Sequence, residues 1–353
     1  MGYHDPMSAP ENICILRLSA IGDVTHVLPV IHQLQQTRPT VKITWIIGKL
    51  EHKLVAGLTG VEFIIFDKSQ GIQAYRTLKR QLQGRRFDVL LHMQVALRGN
   101  LASLLVKARQ KIGYDRARAK DLHGLFIHQR IPQQSQQHVL DALRSFLIPL
   151  GIDPDTPPVW SIPLSAQDNQ FATTHIDPNR TTLVISPMSS HPLRNWLPDR
   201  YAAVADYAIE QLGFQVILSG GPSKSEASFA QEITTHMQCS ALNLVGKDTL
   251  KQSAALLGQA DLVLAPDTGP LHIANAMGTT VIGLHAASNP RRSGAYHSQS
   301  WAIDYYPEAA QQFKGKPAST LKWGRKIEYP GVMGLIPTSA VIEKIEQWTQ
   351  QHG

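Results

Sequence analysis

Ala265-Pro266-Asp267-Thr268-Gly269-Pro270-Leu271-His272 is the stretch that decides the fold of this chain. The apolar residues 262–265 predict a buried strand, and the four residues that follow predict a sharp turn. Pro270 suits the first turn of a helix, where its missing N–H costs nothing. Backbone N–H groups at a helix start, here those of Thr268 and Gly269, attract phosphate. Our hypothesis is that the turn holds the diphosphate of a sugar nucleotide. The alternative is an ordinary strand–turn–helix corner with Asp267 and Thr268 as caps.

The composition is that of an ordinary globular protein. The chain has 353 residues, of which 43% are hydrophobic and 17% charged, and this length suits two domains. Cys14 and Cys239 lie far apart and predict neither a disulfide framework nor a zinc site. Residues 1–10 are polar and lack the apolar core of a signal peptide, and no apolar run approaches the roughly 20 residues that span a bilayer. We therefore expect a cytoplasmic protein.

Positive charge is concentrated in the first half of the chain. The net charge is +7 overall, +8 in residues 1–165 and −1 in residues 166–353. Residues 68–120 alone carry 13 Lys and Arg against 2 Asp and Glu. Such a basic field favours an anionic partner: nucleic acid, an anionic membrane or a phosphorylated substrate. The alternative is a solvated charged surface, which is common.

The first strand–turn–helix unit has an acid where a phosphate loop would need glycines. Residues 13–18 predict a strand and residues 27–34 an amphipathic helix, but the turn between them contains only Gly22 and lacks G-x-G-x-x-G. Asp23, near a helix start, should stay ionised and can serve as a general base; the commoner role of such an Asp is helix capping. His26, one turn on, either orients Asp23 or a substrate or is simply a packed histidine.

Strands and helices alternate along both halves, which predicts α/β domains with parallel, doubly wound sheets. Ligands of such sheets bind beyond the carboxyl ends of the strands, where Asp23, Gln94 and Arg98 fall. Four prolines in residues 151–163 predict an interdomain linker. The alternation then restarts, and residues 280–284 are expected to form the last strand.

These patterns predict one Rossmann-like domain in residues 1–163 and a second in residues 164–337. Residues 317–337, rich in Gly, Pro and Lys/Arg, predict an irregular arm within the second domain. The amphipathic residues 340–350 predict a final helix, and we expect the tail, residues 338–353, to pack back on the N-terminal domain.

Two segments resemble signatures of the bacterial lipopolysaccharide heptosyltransferases, glycosyltransferase family 9. Residues 19–29, Ser-Ala-Ile-Gly-Asp-Val-Thr-His-Val-Leu-Pro, are similar to the N-terminal signature, and residues 267–272 are similar to the donor-site signature. Gln94 and the loop of residues 189–196 fall at corresponding places between them. The arm at residues 322–330 is most similar to the heptosyltransferase I branch.

The resemblance implies a GT-B fold, in which two Rossmann-like domains face each other across a cleft. It implies that the N-terminal domain, residues 1–163, holds the acceptor and that the C-terminal domain, residues 164–337, holds ADP-heptose. It implies an inverting reaction: a base deprotonates a hydroxyl of the Kdo–lipid A core, and that oxygen displaces ADP from ADP-heptose in one step. Asp23 matches the base, Thr268 and Gly269 the diphosphate turn, and Asp267 a contact to the donor sugar. Arg194 stands where the family usually has a lysine serving the departing diphosphate. Arginine keeps the charge and adds a bidentate fork.

Further candidates follow from position and charge. The remaining donor-side candidates are Ser189, Ser190, Gly220, Lys247 and His272. The acceptor-side candidates are Gly22, His26, Arg76, Lys79, Arg80, Gln94, Arg98, Arg116, Arg118 and Lys120. The sequence has no Asp-x-Asp motif and no His/Cys cluster, so we expect a helix dipole and a cation, rather than an obligatory metal, to stabilise the leaving group. Stimulation by a divalent metal stays open.

The basic first half suits an acceptor rich in carboxylates and phosphates at the anionic inner membrane, with the enzyme peripheral to its cytoplasmic face. Another heptosyltransferase branch (II or III), another GT-B enzyme, or a sugar-nucleotide epimerase would keep the donor site and change the acceptor. A two-domain anionic-ligand-binding protein and a basic nucleic-acid binder are the non-enzyme alternatives. We expect no nucleic-acid partner, because the basic segments lack interleaved aromatic residues.

Overall fold

The computed structural model describes residues 10–352, which divide into two compact units after Pro163. Unit 1 ends at Pro163, and unit 2 begins at Leu164 and includes the rest of the described chain. Residues 1–9, on which the expectation of no signal peptide largely rests, lie outside the described residues. Among residues 10–352, no helix combines the length and the apolar character needed to cross a membrane.

Unit 1 is a parallel sheet with helices between its strands. Its strands are β1 (Asn12–Leu16), β2 (Lys42–Gly48), β3 (Val61–Phe66), β4 (Phe87–His92), β5 (Ala108–Gly113) and β6 (Gln129–Arg130). Its helices are α1 (Ile21–Thr25), α2 (Leu28–Thr37), α3 (Lys49–Val55), α4 (Ile72–Gln81), α5 (Leu97–Leu104) and α6 (Val139–Arg144). Within residues 10–163 the strand order is β3-β2-β1-β4-β5-β6, with every pairing parallel.

The central strands of unit 1 are apolar on both faces because helices cover both sides of a doubly wound sheet. In β1, Ile13 through Leu16 are fully buried. The direction of winding reverses between β1 and β4, and the crevice beyond their carboxyl ends is where such sheets bind ligands. The short helix α1, which carries Asp23, follows β1, and Gln94 follows β4, so the topology brings these two predicted residues to the same crevice.

Unit 2 repeats this architecture. Its strands are β7 (Thr182–Ile185), β8 (Gln215–Leu218), β9 (Leu242–Asn243), β10 (Leu262–Pro266), β11 (Thr280–His285) and β12 (Ile303–Asp304). Its helices are α7 (Ala166–His175), α8 (Pro198–Glu210), α9 (Lys224–His236), α10 (Leu250–Gln259), α11 (Gly269–Met277), α12 (Pro290–Ser293), α13 (Tyr306–Lys314) and α14 (Thr338–His352). Within residues 164–352 the order is β12-β11-β10-β7-β8-β9, all parallel.

Counted along its own chain, unit 2 therefore has the same strand order as unit 1, and its winding reverses between β7 and β10. The prediction of two Rossmann-like α/β domains is confirmed. The expectation that residues 280–284 form the last strand is wrong, because β12 follows and pairs with the end of β11. A two-residue strand such as β12 is too short to show an alternating pattern in the sequence.

The C-terminal helix α14 is part of unit 2, contrary to the expectation that the tail packs back on the N-terminal domain. Its apolar face buries Val341, Ile345 and Trp348 in the core of unit 2, beside α8. Tyr207 on α8 donates a hydrogen bond to Glu346 on α14. The helix itself was predicted correctly from its period, but period alone does not reveal which surface the helix covers.

A buried polar network in unit 1 joins α5 to the segment of residues 121–126. The amide N–H of Tyr114 donates to His123 Nε2 at 3.1 Å, so the ring proton is on Nδ1, which donates to Asn100 Oδ1 at 2.9 Å. His92 Nε2 donates to the same Asn100 oxygen at 2.9 Å. Asn100 Nδ2 donates to the carbonyl of Asp121 at 2.8 Å. Because His123 Nε2 accepts the Tyr114 N–H, the network requires His123 to be neutral.

Burial lowers the pKa of His92 to about 3 and that of His123 to about 4. The unfolded chain takes up protons on these rings as the pH falls below about 6.5, whereas the folded state does not. We predict that the free energy of unfolding decreases by on the order of 2 kcal/mol per histidine between pH 7 and pH 5. Urea unfolding at several pH values measures this loss. The His123→Gln variant should lose less free energy of unfolding over this pH range, because it has one buried histidine fewer. Equal pH dependence in the variant and the wild type would contradict the claim that His123 is buried in its neutral form.

Candidate functional site

The carboxylate of Asp23 is held at the mouth of the unit 1 crevice. Its Oδ2 accepts from the amide N–H of Ala20 at 3.1 Å, which caps the start of α1, and also contacts the guanidinium of Arg17. Arg17 is nearly buried and donates in addition to the carbonyl of Met93, after β4. The Asp23 side chain nevertheless remains 38% exposed. The capping role and an accessible, ion-paired carboxylate therefore occur together.

The neighbouring candidates mainly shape the turn that carries Asp23. Gln94 Oε1 accepts from the amides of Leu18 at 3.1 Å and Ser19 at 3.3 Å, which ties the end of β4 to that turn. Gly22 is buried inside α1. His26 is 1% exposed and packs edge-on against His138, with ring centroids 5.8 Å apart. The packed-histidine alternative therefore describes His26.

The basic acceptor-side candidates fall into two groups. Arg118 is engaged within unit 1: its Nε donates to Asp115 Oδ2 at 2.5 Å, and its other nitrogens contact Gln137 and the Pro132 carbonyl. Arg118 thus holds its own loop together. The others present their side chains on the surface of α4, of α5 and of the loop after β5: Arg76, Lys79, Arg80, Arg98, Arg116 and Lys120.

In unit 2, Asp267 is a carboxylate buried at the end of β10. It is only 9% exposed, and its Oδ2 is paired with Lys326 and accepts from Ser293 Oγ at 3.3 Å. His272 Nε2 lies 3.8 Å from Oδ1. Burial raises the pKa of Asp267, but the hydrogen bond from His272 and the charge of Lys326 outweigh it and hold that pKa well below its usual range. Asp267 is therefore ionised at neutral pH.

Lys326 belongs to the irregular arm, and the same arm reaches Arg194. Ile327 is fully buried, and its N–H donates to the carbonyl of Ala287 at 2.9 Å, so the arm is fixed to the loop after β11. Glu328 accepts from Arg194 Nε at 2.7 Å and lies 2.6 Å from its Nη2. Lys326 thus pairs with Asp267 and Glu328 pairs with Arg194, while Ile327 between them is buried. Both predicted donor-side charges have partners inside unit 2.

The N-cap residue of α11, Thr268, makes no side-chain hydrogen bond to the first amides of the helix. Its hydroxyl instead donates to the carbonyl of Met188 at 3.2 Å. Gly269 and Pro270 begin the helix and are partly exposed. The first amides of a helix have no intrahelical acceptor and carry the positive end of the dipole. The α11 terminus therefore has the groups that an anionic ligand needs, beside the crevice between β7 and β10.

The remaining donor-side candidates differ in how free they are to bind. Ser189 is nearly buried, and its Oγ donates to the carbonyl of His191 at 2.9 Å, so it stabilises the loop. Ser190 is exposed. Gly220 follows β8, and its carbonyl accepts from the amide of Gly246. Lys247 Nζ donates to the carbonyl of Asn243 at 2.6 Å. Among the described residues, no cluster of three or more His, Cys, Asp or Glu side chains is arranged to hold a metal ion.

Sequence reasoning missed three site residues, Arg17, Lys326 and Glu328. Arg17 lies next to an apolar strand, and a charge in such a run is a signal because buried charges are almost always paired. Lys326 and Glu328 lie 59 and 134 residues from their partners, so no local pattern reveals these contacts. The only available signal was the concentration of cations in the arm.

We predict that Lys326→Met destabilises the protein by about 2 kcal/mol. Removing one partner of a fully buried ion pair costs roughly 3–5 kcal/mol, and the 27% exposure of Lys326 reduces that cost. Ionised Asp267 contributes stability above the unfolded pKa of about 3.9, so the loss should be largest at neutral pH and shrink as the pH falls below about 4. Urea unfolding checks this, with Lys322→Met, an exposed lysine of the same arm, as the control. Equal loss in the two variants would contradict the ion-pair assignment.

Comparisons with known proteins agree with this architecture. Residues 75–323 match the model of glycosyltransferase family 9 (heptosyltransferase). The lipopolysaccharide core heptosyltransferase OpsX of Haemophilus influenzae is 39% identical over 339 residues, which are 96% of this chain and 97% of that protein.

Two solved structures share the fold. The glycosyl transferase family 9 structure from Veillonella parvula has a TM-score of 0.77 and 21% identity, covering 97% of each chain. Escherichia coli heptosyltransferase WaaC with ADP has a TM-score of 0.71 and 19% identity, covering 96% of this chain and 99% of that one. These likenesses confirm the predicted GT-B fold class, and the family match excludes the non-enzyme alternatives. The chain belongs to glycosyltransferase family 9, and it is an enzyme of the heptosyltransferase type.

Proposed function

We propose that this enzyme transfers heptose from ADP-heptose to a Kdo–lipid A type acceptor of the lipopolysaccharide inner core, with inversion at the anomeric carbon. The observation that carries the proposal is that one chain contains two different connections, each after a strand at which the winding of its sheet reverses. Unit 1 presents an accessible carboxylate, Asp23, and unit 2 presents an open helix start at Thr268 and Gly269. One turn suits proton removal, and the other suits a diphosphate.

In the proposed step, Asp23 accepts the proton of an acceptor hydroxyl while that oxygen attacks the anomeric carbon of heptose. The bond between that carbon and the diphosphate oxygen breaks, and ADP leaves with the electron pair. Negative charge therefore grows on the diphosphate, where the α11 dipole and Arg194 stabilise it. Arg17 is the positioning residue for Asp23, because it anchors the carboxylate to the end of β4 through Met93.

The donor assignment is supported by the charges of unit 2. Lys326 neutralises the buried carboxylate of Asp267 and is therefore not available to a diphosphate. We infer that Arg194 serves the diphosphate instead, because its partner Glu328 is partly exposed. The Escherichia coli structure with ADP shows that a protein of this fold binds that nucleotide. We infer that Ser190, Gly220, Lys247 and His272 contribute to the donor pocket.

The acceptor assignment is supported by the exposed cations of unit 1. Arg76, Lys79, Arg98, Arg116 and Lys120 lie on the surface and suit the carboxylates and phosphates of a Kdo–lipid A acceptor. Such an acceptor is carried by a membrane, so we propose a cytoplasmic enzyme that associates with the inner membrane from that side. The lipopolysaccharide core name of the Haemophilus influenzae relative agrees with this acceptor class.

Within the family, the arm of residues 322–330 favours the heptosyltransferase I type of reaction. The basis is the sequence resemblance of this arm, since its contacts with Asp267 and Arg194 lie on the donor side, which the branches share. Heptosyltransferases II and III, which use the same donor on other acceptors, are the second candidates. A panel of acceptors with and without a first heptose distinguishes the branches.

We predict that Asp23→Asn lowers the turnover number by about 1000-fold and leaves ADP-heptose affinity within about twofold, because general-base catalysis supplies a factor of this size. The substitution keeps an oxygen for the Ala20 amide, but it removes both the base and the charge that pairs with Arg17. Turnover is measured as ADP release and donor affinity by calorimetry. Asp155→Asn, an exposed acid of the same unit, is the control. Wild-type turnover in Asp23→Asn would remove Asp23 from catalysis.

We predict that Arg194→Ala lowers kcat/KM for ADP-heptose about 30-fold, corresponding to about 2 kcal/mol for a lost charge-assisted contact. Arg194→Lys should recover part of the loss, since it keeps the charge without the fork. Steady-state kinetics with varied donor gives both values, and Lys316→Ala, an exposed cation of unit 2, is the control. An unchanged kcat/KM in Arg194→Ala would exclude it from the donor site.

A further inference from the structure

Helix α5 has the reverse of the usual amphipathic pattern: its leucines are exposed, and its small and polar residues are buried. Its exposed side carries Leu97, Leu101 and Leu104, which are 53%, 42% and 59% exposed. Its buried side carries Gly99, Asn100, Ala102 and Ser103. An amphipathic helix normally places its leucines in the core and its amides in water. The reversal indicates that the exposed leucines have a partner outside the chain.

The segment that packs against α5 continues this apolar surface. Leu122 and Leu125 are 74% and 78% exposed. Asp121 and Leu122 both have positive φ, 50° and 59°, a conformation that costs a non-glycine residue energy unless the surroundings enforce it. Here two hydrogen bonds enforce it. The side-chain amide of Asn100 donates to the carbonyl of Asp121 at 2.8 Å. The backbone amide of Leu97 donates to the carboxylate of Asp121 at 2.9 Å. These two hydrogen bonds therefore stabilise the unfavourable backbone conformation that places Leu122 at the surface.

We call these five side chains, Leu97, Leu101, Leu104, Leu122 and Leu125, the leucine surface. Cations are concentrated in the same part of the chain: residues 97–130 contain eight Lys and Arg against two Asp. Both acids are already engaged, Asp115 with Arg118 and Asp121 with the amide of Leu97. Arg98, Arg116 and Lys120 are exposed. Arg98 follows Leu97 and Lys120 lies two residues before Leu122, so the leucine surface has an exposed positive margin.

We propose that the leucine surface is the membrane-docking surface of this enzyme and that its partner is an anionic lipid bilayer. Apolar side chains enter the boundary between headgroups and acyl chains, while Lys and Arg at the margin pair with anionic headgroups. A second copy of the chain fits less well, because it would bring two positive margins together. The buried histidine network ties Asp121, next to Leu122, to α5.

This inference rests on the proposed function for its biological setting, a lipid-borne acceptor, but not for its test. Binding to vesicles without acceptor tests the leucine surface alone. Transfer to a delipidated, water-soluble acceptor sugar tests the reaction alone. Loss of one result with retention of the other therefore shows which of the two proposals is wrong.

The test is flotation of the purified full chain with vesicles of phosphatidylcholine containing phosphatidylglycerol. We expect wild-type protein to float with these vesicles at low salt, and Leu122→Gln with Leu125→Gln to reduce the partition coefficient at least about tenfold. Leu97→Gln with Leu104→Gln, on the helix, should act likewise and serves if the first variant fails to fold. Binding should weaken with added salt and in vesicles of phosphatidylcholine alone.

Leu242→Gln, a 37% exposed leucine of unit 2, is the matched control and should float like wild type. The leucine variants should keep wild-type turnover on the water-soluble acceptor. Wild-type flotation by both leucine variants, or no flotation of the wild type itself, would overturn the proposal. So would sedimentation showing a wild-type dimer that the leucine variants dissociate, since the surface would then join two copies.

Discussion

A carboxylate buried at the end of a strand must be neutralised, and the donor side of unit 2 is arranged around this requirement at Asp267. The charge of Lys326 meets it, and that contact draws a segment 59 residues away in sequence onto the end of β10. Once Lys326 is fixed, Ile327 enters the core and Glu328 reaches Arg194. A single buried charge thereby sets the position of the cation that is proposed to serve the leaving group.

The same strand order in both units produces two crevices with opposite chemistry. Each sheet reverses its winding between its first and fourth strands, so each gathers loop residues at the carboxyl ends of those strands. The outcome differs because the turns differ: Asp23 caps α1 and keeps an accessible carboxylate, whereas Thr268 turns its hydroxyl away and leaves the start of α11 open. The fold supplies the location, and a few turn residues decide whether that location holds an accessible carboxylate or an open helix start.

Much of the fold could be predicted because its strands are long apolar runs and its loops carry Gly, Pro or charge. The two-residue strands β6 and β12 could not, since they hold no period, and neither could the docking of α14 on α8. Asp267 was found because it directly follows a buried strand, and Asp23 because it lies in the connection that follows one. The partners Arg17 and Lys326 were missed because their contacts are tertiary. The exposure of the α5 leucines was not predicted, because sequence period does not tell inside from outside.

The central claim is that this chain joins heptose to a Kdo–lipid A type acceptor by a single inverting displacement. The most direct measurement is product analysis after incubating the purified protein with ADP-heptose and that acceptor: mass spectrometry counts the sugars added, and NMR gives the anomeric configuration. The account predicts one added heptose per acceptor, opposite in anomeric configuration to the donor, with one ADP released. No added heptose, or a product that retains the donor's configuration, would contradict it.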